Sequence, residues 1–587
     1  MPLWDNTKLY DRILQLLNQK ERGYVKFNKA RESIINLMRP DMSSDIDPDG
    51  DGSFFGEDIH DGVGFWAAGV MSKGLQGGLV SADADWLSHE AGSAVLDKID
   101  ELSIWLQEID DHMTDVFRKS NFYRILPIFI KDGVTIGSPL MFIEETDVVK
   151  GEITFLPQHY STVFAFYDGN NKLEGVIIKD ENWTVKKITD KFAPTEDEQQ
   201  AKLPQTILDN IRSGDYYEEH TMYRAVFKGV NPVWDVEEFN KPDAEWISVY
   251  FIEKTTEDQK NNPLSTEPYF TRPFTTWDYD KKLWESCSRT PAFEAIYDVL
   301  SQQEMALDQA TNRKLKNNPP RAVLGDHRNI VDFRPEGVTS VDKNDWNFTP
   351  KAIDVVGDIR LSREELEFNA ENVKRWFNVK DFLKFTDMTN TLRQQPTATQ
   401  IIKIAAELSA QVNPGIASLT TGFLADVDER VMDIEIRAMR GPFSLVRMEE
   451  ISEVIQGVAD ELGVTTEISL TPVFIGPLAR AQKVKQELDP ILEGLGVAGS
   501  MFEVWPELKN AIREHGTLER ILKATGFPLT ELKPQEEYNE IIAAIREAEQ
   551  AAVEQAQQIE MMKASKNLTG PVDETSVMAK AGEALSQ

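Results

Sequence analysis

Apolar residues recur every three or four positions over Asp5 to Arg39, with polar residues between them, and the pattern stops at Pro40. This spacing predicts an amphipathic helix, broken near Gly23. An acidic stretch with several glycines, Asp41 to Asp61, predicts a loop, and a mixed helical region follows it up to about Tyr123.

From Ile125 onward the apolar residues come in short runs between glycines and prolines. These runs predict that strands begin here and that the β-rich part spans about Gly137 to Thr275. The pattern then returns to helical spacing. Thr290 followed by proline is a good helix start, and one long helix is predicted up to Asn317.

Two prolines, Pro319 and Pro320, predict the end of this helix and the start of a compact insert with short β-like runs, Arg321 to Val356. A capping box of Ser362 and Glu365 predicts the start of a second helix. The insert is therefore carried between two helices. The first of them, with roughly 26 residues, would be about 40 Å long.

The remainder is also predicted to be mainly helical. A polar loop, Thr386 to Gln395, leads to a second capping box and a long helix interrupted at Asn413 and Pro414. A strand is predicted over Glu467 to Ile475, helices follow it, and the polar tail from Lys566 is predicted to be disordered.

Charge narrows the range of functions. The 587 residues include 63 basic and 98 acidic side chains, and the net charge of −35 repels a phosphate backbone over most of the surface.

No apolar run approaches the roughly 18 residues of a membrane span, and no secretory signal pattern occurs, so we expect a water-soluble intracellular protein. The single cysteine, Cys287, excludes an intrachain disulfide framework.

One acidic segment resembles a calcium-binding loop, with Asp47, Asp49, Asp51 and Asp58 as candidate ligands. Its last ligand is aspartate instead of a bidentate glutamate, and the preceding helix stops at Pro40. A solvated acidic loop is therefore the favoured interpretation.

No motif predicts catalysis. Gly62 to Ala67 fits the dinucleotide glycine fingerprint, but acidic residues stand where a buried strand should precede it, which favours helix packing by small residues. The seven histidines show no metal-ligand spacing, and no serine elbow or single carboxylate pair stands out. We therefore expect no cofactor, no resident metal and no enzymatic activity.

Several segments resemble the portal, or head-to-tail connector, proteins of short-tailed phages. They are Leu75 to Trp86 (LQGGLVSADADW), similar to an early helix and its following tryptophan; Phe122 to Glu145 (FYRILPIFIKDGVTIGSPLMFIEE), similar to the hydrophobic segment that leads into the strands; Pro396 to Gln400 (PTATQ), similar to a helix start that usually has Glu in last place; and Gly476 to Gln482 (GPLARAQ). The predicted order of elements agrees with this resemblance, which covers most of the chain.

The resemblance implies an α+β fold: a portal-like elongated subunit with a β-containing wing, a two-helix stem, a small α/β clip, and a helical crown and barrel. The implied boundaries are 1–290 for the first part of the wing, 291–316 for the first stem helix, 317–358 for the clip, 359–384 for the second stem helix, 385–396 for the tunnel loop, 397–477 for the second part of the wing with the long kinked helix, 478–565 for the crown and barrel, and 566–587 for the disordered tail.

Two sets of site residues follow from the same resemblance. The tunnel loop would line the DNA channel with Met388, Thr389, Asn390, Thr391, Arg393, Gln394 and Gln395. The clip would dock the packaging motor and later the tail adaptors through Pro319, Pro320, Arg321, Arg334, Pro335 and Gly337.

The implied function is a homo-oligomeric ring, a dodecamer, at the unique capsid vertex of the virion, through which double-stranded DNA is packaged and ejected. The implied partners are the large terminase subunit, the major capsid and scaffolding proteins, the tail adaptor proteins and DNA, with no membrane, and assembly would occur in the host cytoplasm. The alternative is a calcium-binding acidic surface or adhesion protein, which rests on the charge and on the Asp47 to Asp58 loop.

Overall fold

The computed structural model of the chain describes residues 8–45, 59–82, 85–92, 99–147, 151–229, 244–253, 263–282, 285–325, 334–335, 337–342, 351–352, 359–390, 415–462 and 469–478, together with single residues and short pieces elsewhere. The residues form two compact units, Met1–Gln482 and Lys483–Gln587. The described residues of the second unit are short, mostly helical pieces, which include 494–499 and 541–545.

Helices form the larger part of the first unit. They are α1 (Leu9–Met38), α2 (Val63–Leu79), α3 (Asp100–Lys119), α4 (Phe122–Thr135), α5 (Val185–Phe192), α6 (Glu196–Lys202), α7 (Gln205–Ser213), α8 (Pro291–Asn317), α9 (Ile359–Trp376), α10 (Val379–Asn390), α11 (Ala425–Arg437) and α12 (Leu445–Leu462). A π-helical segment, Ser418–Leu424, leads directly into α11, and 3₁₀ turns occur at Pro40–Asp45 and Gly441–Phe443.

The described strands form four small sheets. A five-stranded antiparallel sheet has the order β4 (Val163–Tyr167), β5 (Leu173–Thr184), β6 (Glu219–Lys228), β7 (Trp246–Ile252) and β8 (Ser265–Tyr269). A three-stranded antiparallel sheet has the order β3 (Glu152–Gln158), β2 (Leu140–Asp147) and β9 (Phe274–Thr276). A mixed three-stranded sheet has the order β11 (Val338–Asp342), β10 (Arg321–Gly325) and β12 (Lys351–Ala352), with β10 parallel to β11 and antiparallel to β12, and β1 (Leu87–Glu90) pairs with β13 (Thr471–Phe474). An α+β architecture was expected, and the model confirms it.

The five-stranded sheet is buried on both faces because its side chains alternate between two apolar layers. One face, which includes Ile177 and Ala225, is covered by α1 through residues such as Tyr10. The opposite face, which includes Val176, packs against the three-stranded sheet around Phe142. The predicted β-rich part therefore corresponds to β2 through β9.

A larger helical core lies beside these sheets. Small residues of α2 allow close approach, as the Gly62 to Ala67 motif predicted: a Cβ on Gly64 would lie 3.2 Å from Val299 of α8. The core also joins distant segments, since Phe129 of α4 stacks on Phe423 of the π-helical segment with ring centroids 4.2 Å apart.

Two local predictions were wrong in the first third of the chain. The strand start at Ile125 is part of α4, which has Pro127 in its interior and buries Phe122, Leu126 and Phe129 at helical spacing. Apolar residues are so frequent in this segment that their helical spacing was not apparent, and the segment was therefore predicted to be a strand. The predicted break at Gly23 is also absent, since α1 runs unbroken for 30 residues. A single helical glycine costs only about 1 kcal/mol, which packing of α1 against the sheet offsets.

The second predicted stem helix differs in three ways. It begins at Ile359, so Ser362 lies within the first turn and not at the cap. It ends at Trp376, and α10 starts at Val379 after Asn378, whose φ of +50° is incompatible with a continuous helix. After this break, α10 buries Phe382 against Gly74 of α2. Finally, α10 continues into the region predicted as a polar loop and ends only at Asn390.

Other predicted elements were confirmed. Helix α8 starts with proline at its first position and ends at Asn317, as expected. Strand β13 lies within Glu467 to Ile475. The second capping box, the kink at Asn413 and Pro414, and the polar tail lie outside the described residues.

Candidate functional site

The candidate site is the helical hairpin of α8 and α9, hereafter the stem pair, with the small β10–β12 sheet carried between the two helices. The helices are antiparallel: Asn369 Nδ2 donates to Gln302 Oε1 at 3.0 Å, and seven residues later Trp376 Nε1 donates to Asp298 Oδ2 at 2.7 Å. Asn369 Nδ2 also lies 2.8 Å from the Asp298 carbonyl oxygen. Polar bonds thus fix the register of the stem pair.

Helix α8 is joined by hydrogen bonds to the segment before α2. Gln303 Oε1 accepts hydrogen bonds from the backbone N–H groups of His60 and Asp61 at 2.7 and 2.9 Å, and its Nε2 donates to the Asp61 carbonyl oxygen at 2.7 Å. The Asp61 carboxylate in turn accepts from the N–H of Val63, the first residue of α2. One buried amide on α8 therefore determines the position of the start of α2.

The start of α8 is anchored by its cap residue. Thr290 does not cap the helix with its hydroxyl; Oγ1 instead donates to the Thr135 carbonyl oxygen at the end of α4, at 2.7 Å. Pro291 needs no hydrogen-bond acceptor at the first helical position, so the sequence suits both the helix and the anchor.

A cleft of about 540 Å³ opens where the start of α8 meets the end of α9. Its charged lining is nearly balanced, with Arg289 and Arg375 facing acidic residues that include Glu294. Among the described residues that line it, none is a histidine, cysteine or serine, and the hydroxyl of Thr290 is bonded to the Thr135 carbonyl oxygen.

The structure brings the predicted clip residues partly together. The Arg321 N–H donates to the Gly337 carbonyl oxygen at 2.8 Å, which starts the parallel pairing of β10 with β11. The Gly337 N–H donates to the Arg334 carbonyl oxygen at 2.8 Å, which confirms the predicted turn around Pro335. Pro320 is buried and Pro319 half-buried, whereas Arg321, Arg334 and Pro335 are exposed.

The predicted tunnel-loop residues divide into two groups. Met388, Thr389 and Asn390 form the end of α10. The remaining residues, Thr391, Arg393, Gln394 and Gln395, lie outside the described residues, as do the calcium candidates Asp47, Asp49, Asp51 and Asp58. Within the part of the chain that is described, no group of three or more His, Cys, Asp or Glu side chains is placed to hold a metal ion.

A buried histidine that sequence reasoning did not single out joins three elements of the helical core. His89 of β1 has Nδ1 2.6 Å from Asp110 Oδ1 on α3, and Nε2 3.2 Å from Asp428 Oδ2 on α11. Burial alone would lower the pKa of His89, but hydrogen bonds to the two carboxylates outweigh this effect and raise the pKa to about 9. The imidazolium is therefore the stable form at neutral pH.

A second buried carboxylate lies two turns further along α11. Burial would raise the pKa of Glu435, but bonds to His112 at 2.9 Å and Arg440 at 2.8 Å lower it below its usual value. The signal in the sequence is that Asp428 and Glu435 lie seven residues apart, on the same side of the helix as the buried Val431. Acidic residues in an apolar stripe indicate buried ion pairs.

Among the helices that the structure describes, none has the length and apolar character needed to cross a membrane. Helices α8 and α9 are thus joined by side-chain hydrogen bonds and carry a small sheet between them.

Comparison with known proteins defines the class. The chain belongs to the family of bacteriophage head to tail connecting proteins, whose model matches residues 10–532 and so includes the whole stem pair and the sheet between its helices. It is 22% identical over 594 residues to the portal protein of Salmonella phage epsilon15, covering 96% of this chain and 95% of that protein. It is also 22% identical over 439 residues to the probable portal protein of Bordetella phage BPP-1, with coverage of 73% and 75%.

Proposed function

We propose that this chain is a portal subunit, which forms a closed ring at one vertex of a phage capsid and provides the channel for double-stranded DNA. The observation that carries this proposal is the similarity to the epsilon15 portal protein along nearly the whole of both chains. A match that covers 96% of the chain is not confined to one domain.

The stem pair supports the proposal by its dimensions. Helix α8 has 27 residues, which corresponds to about 40 Å at 1.5 Å per residue. It carries the small β10–β12 sheet between its own end and the start of α9. We assign residues 317–358 to the clip, which docks the large terminase subunit during packaging and the tail adaptors afterwards.

The negative net charge of the subunit supports its role in a DNA channel. Each phosphate that a protein neutralises adds salt-dependent affinity for DNA, so a predominantly acidic wall keeps the duplex mobile. A net charge of −35 per subunit suits this requirement. Arg393, the one cation of the predicted tunnel loop, would then contact the duplex briefly together with its polar neighbours.

The remaining partners follow from the same role. A portal at the head-to-tail junction of the virion contacts the major capsid protein, and the scaffolding protein directs its incorporation during assembly in the host cytoplasm. The subunit number that we propose is twelve. We infer a structural role without catalysis.

Electron microscopy tests the proposal. The protein is purified alone and, separately, after co-expression with its scaffolding protein, and both samples are examined by light scattering and negative-stain imaging. We expect rings with a central hole. A compact monomer in both samples at high concentration, especially one whose melting temperature rises with calcium, would overturn the proposal in favour of the acidic surface protein.

A further inference from the structure

Helix α1 differs in charge from the chain as a whole. It has six basic and three acidic residues, a net charge of +3, whereas the whole chain has 63 basic and 98 acidic residues. Three of the six cations have contacts inside the protein: Arg12 and Arg31 are buried, and Lys20 Nζ lies 4.9 Å from the centre of the Phe166 ring. The other three cations are exposed to solvent: Arg22, Lys26 and Lys29.

The three exposed cations lie on the side of α1 that faces away from the five-stranded sheet. Tyr24 marks the opposite side, since it is buried in the apolar layer between α1 and that sheet. Arg22 and Lys26 are each two positions from Tyr24, which is about 160° around a helix with 100° per residue. Lys29 is five positions from Tyr24, or about 140°. The cations therefore share one outward-facing side.

Acidic groups do not neutralise this side of the helix. Among the described residues, no acidic side chain lies within 4 Å of the three cations. Glu21 and Glu32 lie only about 60° and 80° from Tyr24, toward the sheet, and Asp11 precedes Arg22 by 11 residues, or about 16 Å. Since the Debye length is about 8–10 Å at physiological ionic strength, negative charge on distant surfaces is largely screened here.

Hydrogen-bonding side chains extend the same side of α1 in both directions. Gln15 and Ser33 are exposed and are each nine positions from Tyr24, about 180° around the helix, and Gln19 is exposed at about 140°. Together with the three cations they form the α1 strip, which spans 18 residue positions, or about 27 Å. The strip consists of Gln15, Gln19, Arg22, Lys26, Lys29 and Ser33.

The composition of the α1 strip selects its partner. Lysine, arginine, glutamine and serine side chains all donate hydrogen bonds to phosphate oxygens. A protein partner is disfavoured, because protein interfaces normally have a buried apolar centre and the strip has no apolar side chain. Its cations extend over seven residue positions, about 10 Å, and one DNA strand has a phosphate every 3.4 Å or so along the axis. Three cations thus correspond to about three phosphates.

We propose that the α1 strip binds the phosphate backbone of duplex DNA, without regard to sequence, through Arg22, Lys26 and Lys29. The strip shares no residue with the predicted tunnel loop, so it is a second DNA contact on the same subunit. The inference rests on the proposed function only because a portal has DNA beside it. The net charge of −35 keeps the duplex away from most of the surface, whereas the strip holds it.

Salt-dependent DNA binding tests the strip. Fluorescence anisotropy measures the affinity of the full chain for a labelled duplex of about 30 base pairs over 50–200 mM salt. The variant Arg22→Gln with Lys26→Gln and Lys29→Gln should bind at least about tenfold more weakly in 50 mM salt. Its slope of log affinity against log salt should be smaller by about 2.7 for each subunit that contacts the duplex, because each phosphate contact contributes about 0.9. Light scattering verifies that the proteins are compared in the same state of assembly.

A matched variant separates the strip from net charge. Arg118→Gln with Lys172→Gln and Lys186→Gln removes three exposed cations outside α1 and changes the net charge equally, and it should bind DNA like the wild type. Gln19→Lys adds a cation to the strip and should strengthen binding and increase the slope by about 0.9. Because all these residues are exposed, every variant should melt within about 2 °C of the wild type.

Four outcomes would overturn the inference. They are no DNA binding by the wild type in 50 mM salt, wild-type affinity of the α1 variant, equal loss in the matched variant, and equally tight binding of polyglutamate of the same total charge. In each case rings of the wild type can still form, and the proposed function then stands. Strip-dependent DNA binding by a chain that forms no rings would contradict the proposed function alone.

Discussion

The ring of His89 lies between two carboxylates, and its shortest contact is the 2.6 Å from Nδ1 to Oδ1 of Asp110. Asp428 on the other side is almost fully buried. The imidazolium therefore compensates buried negative charge and connects β1, α3 and α11. Removal of one partner of such a group typically costs about 3–5 kcal/mol, because a buried charge is left without compensation.

Stability should depend on pH through His89. Its pKa is about 9 in the folded protein and near 6.5 unfolded, so its contribution is complete below about pH 6.5 and is lost as the pH rises through 9. The higher pKa of His89 in the folded protein corresponds to about 3 kcal/mol of unfolding free energy. Urea titration measures the unfolding free energies of the wild type and of His89→Gln at about pH 6 and pH 9.5. The difference between the two proteins should be smaller at the higher pH. A constant difference contradicts the assignment.

Gln303 should be essential for the attachment of α8 to the segment before α2. Gln303→Leu leaves the N–H groups of His60 and Asp61 without their acceptor and should lower the unfolding free energy by about 1–3 kcal/mol. Gln309→Leu, on the same helix but with only a 3.5 Å contact to Arg313, is the matched control and should change stability by less than about 0.5 kcal/mol. Equal effects in denaturant titrations would refute this role.

Two helical glycines should respond in opposite directions to alanine. A Cβ on Gly133 would overlap the ring of Trp277, so Gly133→Ala should destabilise the protein by about 1–3 kcal/mol. Gly69 on α2 has open space at its Cβ position, and Gly69→Ala should stabilise by about 0.5–1 kcal/mol. Thermal melting shows whether each variant is more or less stable than the wild type. A loss of stability in both variants would show that there is no open space at the Cβ position of Gly69.

The predicted tunnel loop offers a test of the channel. Since α10 ends at Asn390, deletion of 391–395 removes the predicted tunnel-loop residues that follow α10 and leaves the described helix complete. If this loop contacts DNA, rings should form normally while packaged DNA is retained less well, as measured by nuclease-protected DNA per particle. Wild-type packaging and retention would eliminate the role of the loop, and failure of ring assembly would assign it to subunit contact instead.

The sequence predicted the elements whose boundaries have strong local chemistry. Thr290 and Pro291 predicted the start of α8, and Pro319 and Pro320 predicted its end, because proline restricts the backbone whatever surrounds it. The segment from Ile125 was predicted as a strand because its many apolar residues concealed the helical spacing. Tertiary packing decided between the two alternatives.

The site itself could be predicted only in part. An apolar stripe on α8 was visible, but the sequence gives no sign that Leu300 and Leu307 face outward while Gln302 and Gln303 are buried. Phe293, Ile296 and Val299 of the same stripe do pack in the core, so burial divides the apolar residues of α8 into two groups. The cluster around His89 could not be predicted, because its two carboxylates are 318 positions apart in the chain and meet only in the folded protein.

The pairing of β1 with β13 has a consequence for synthesis. Leu87 is opposite Phe474 in this two-stranded sheet, and Trp86 stacks on the same phenylalanine. Translation at about 5–20 residues per second separates the two strands by roughly 20–80 s. During that interval β1 has no partner, and Trp86 lacks one wall of its pocket. The two-stranded sheet, and with it the pocket of Trp86, can therefore be completed only after nearly all of residues 1–482 have been synthesised.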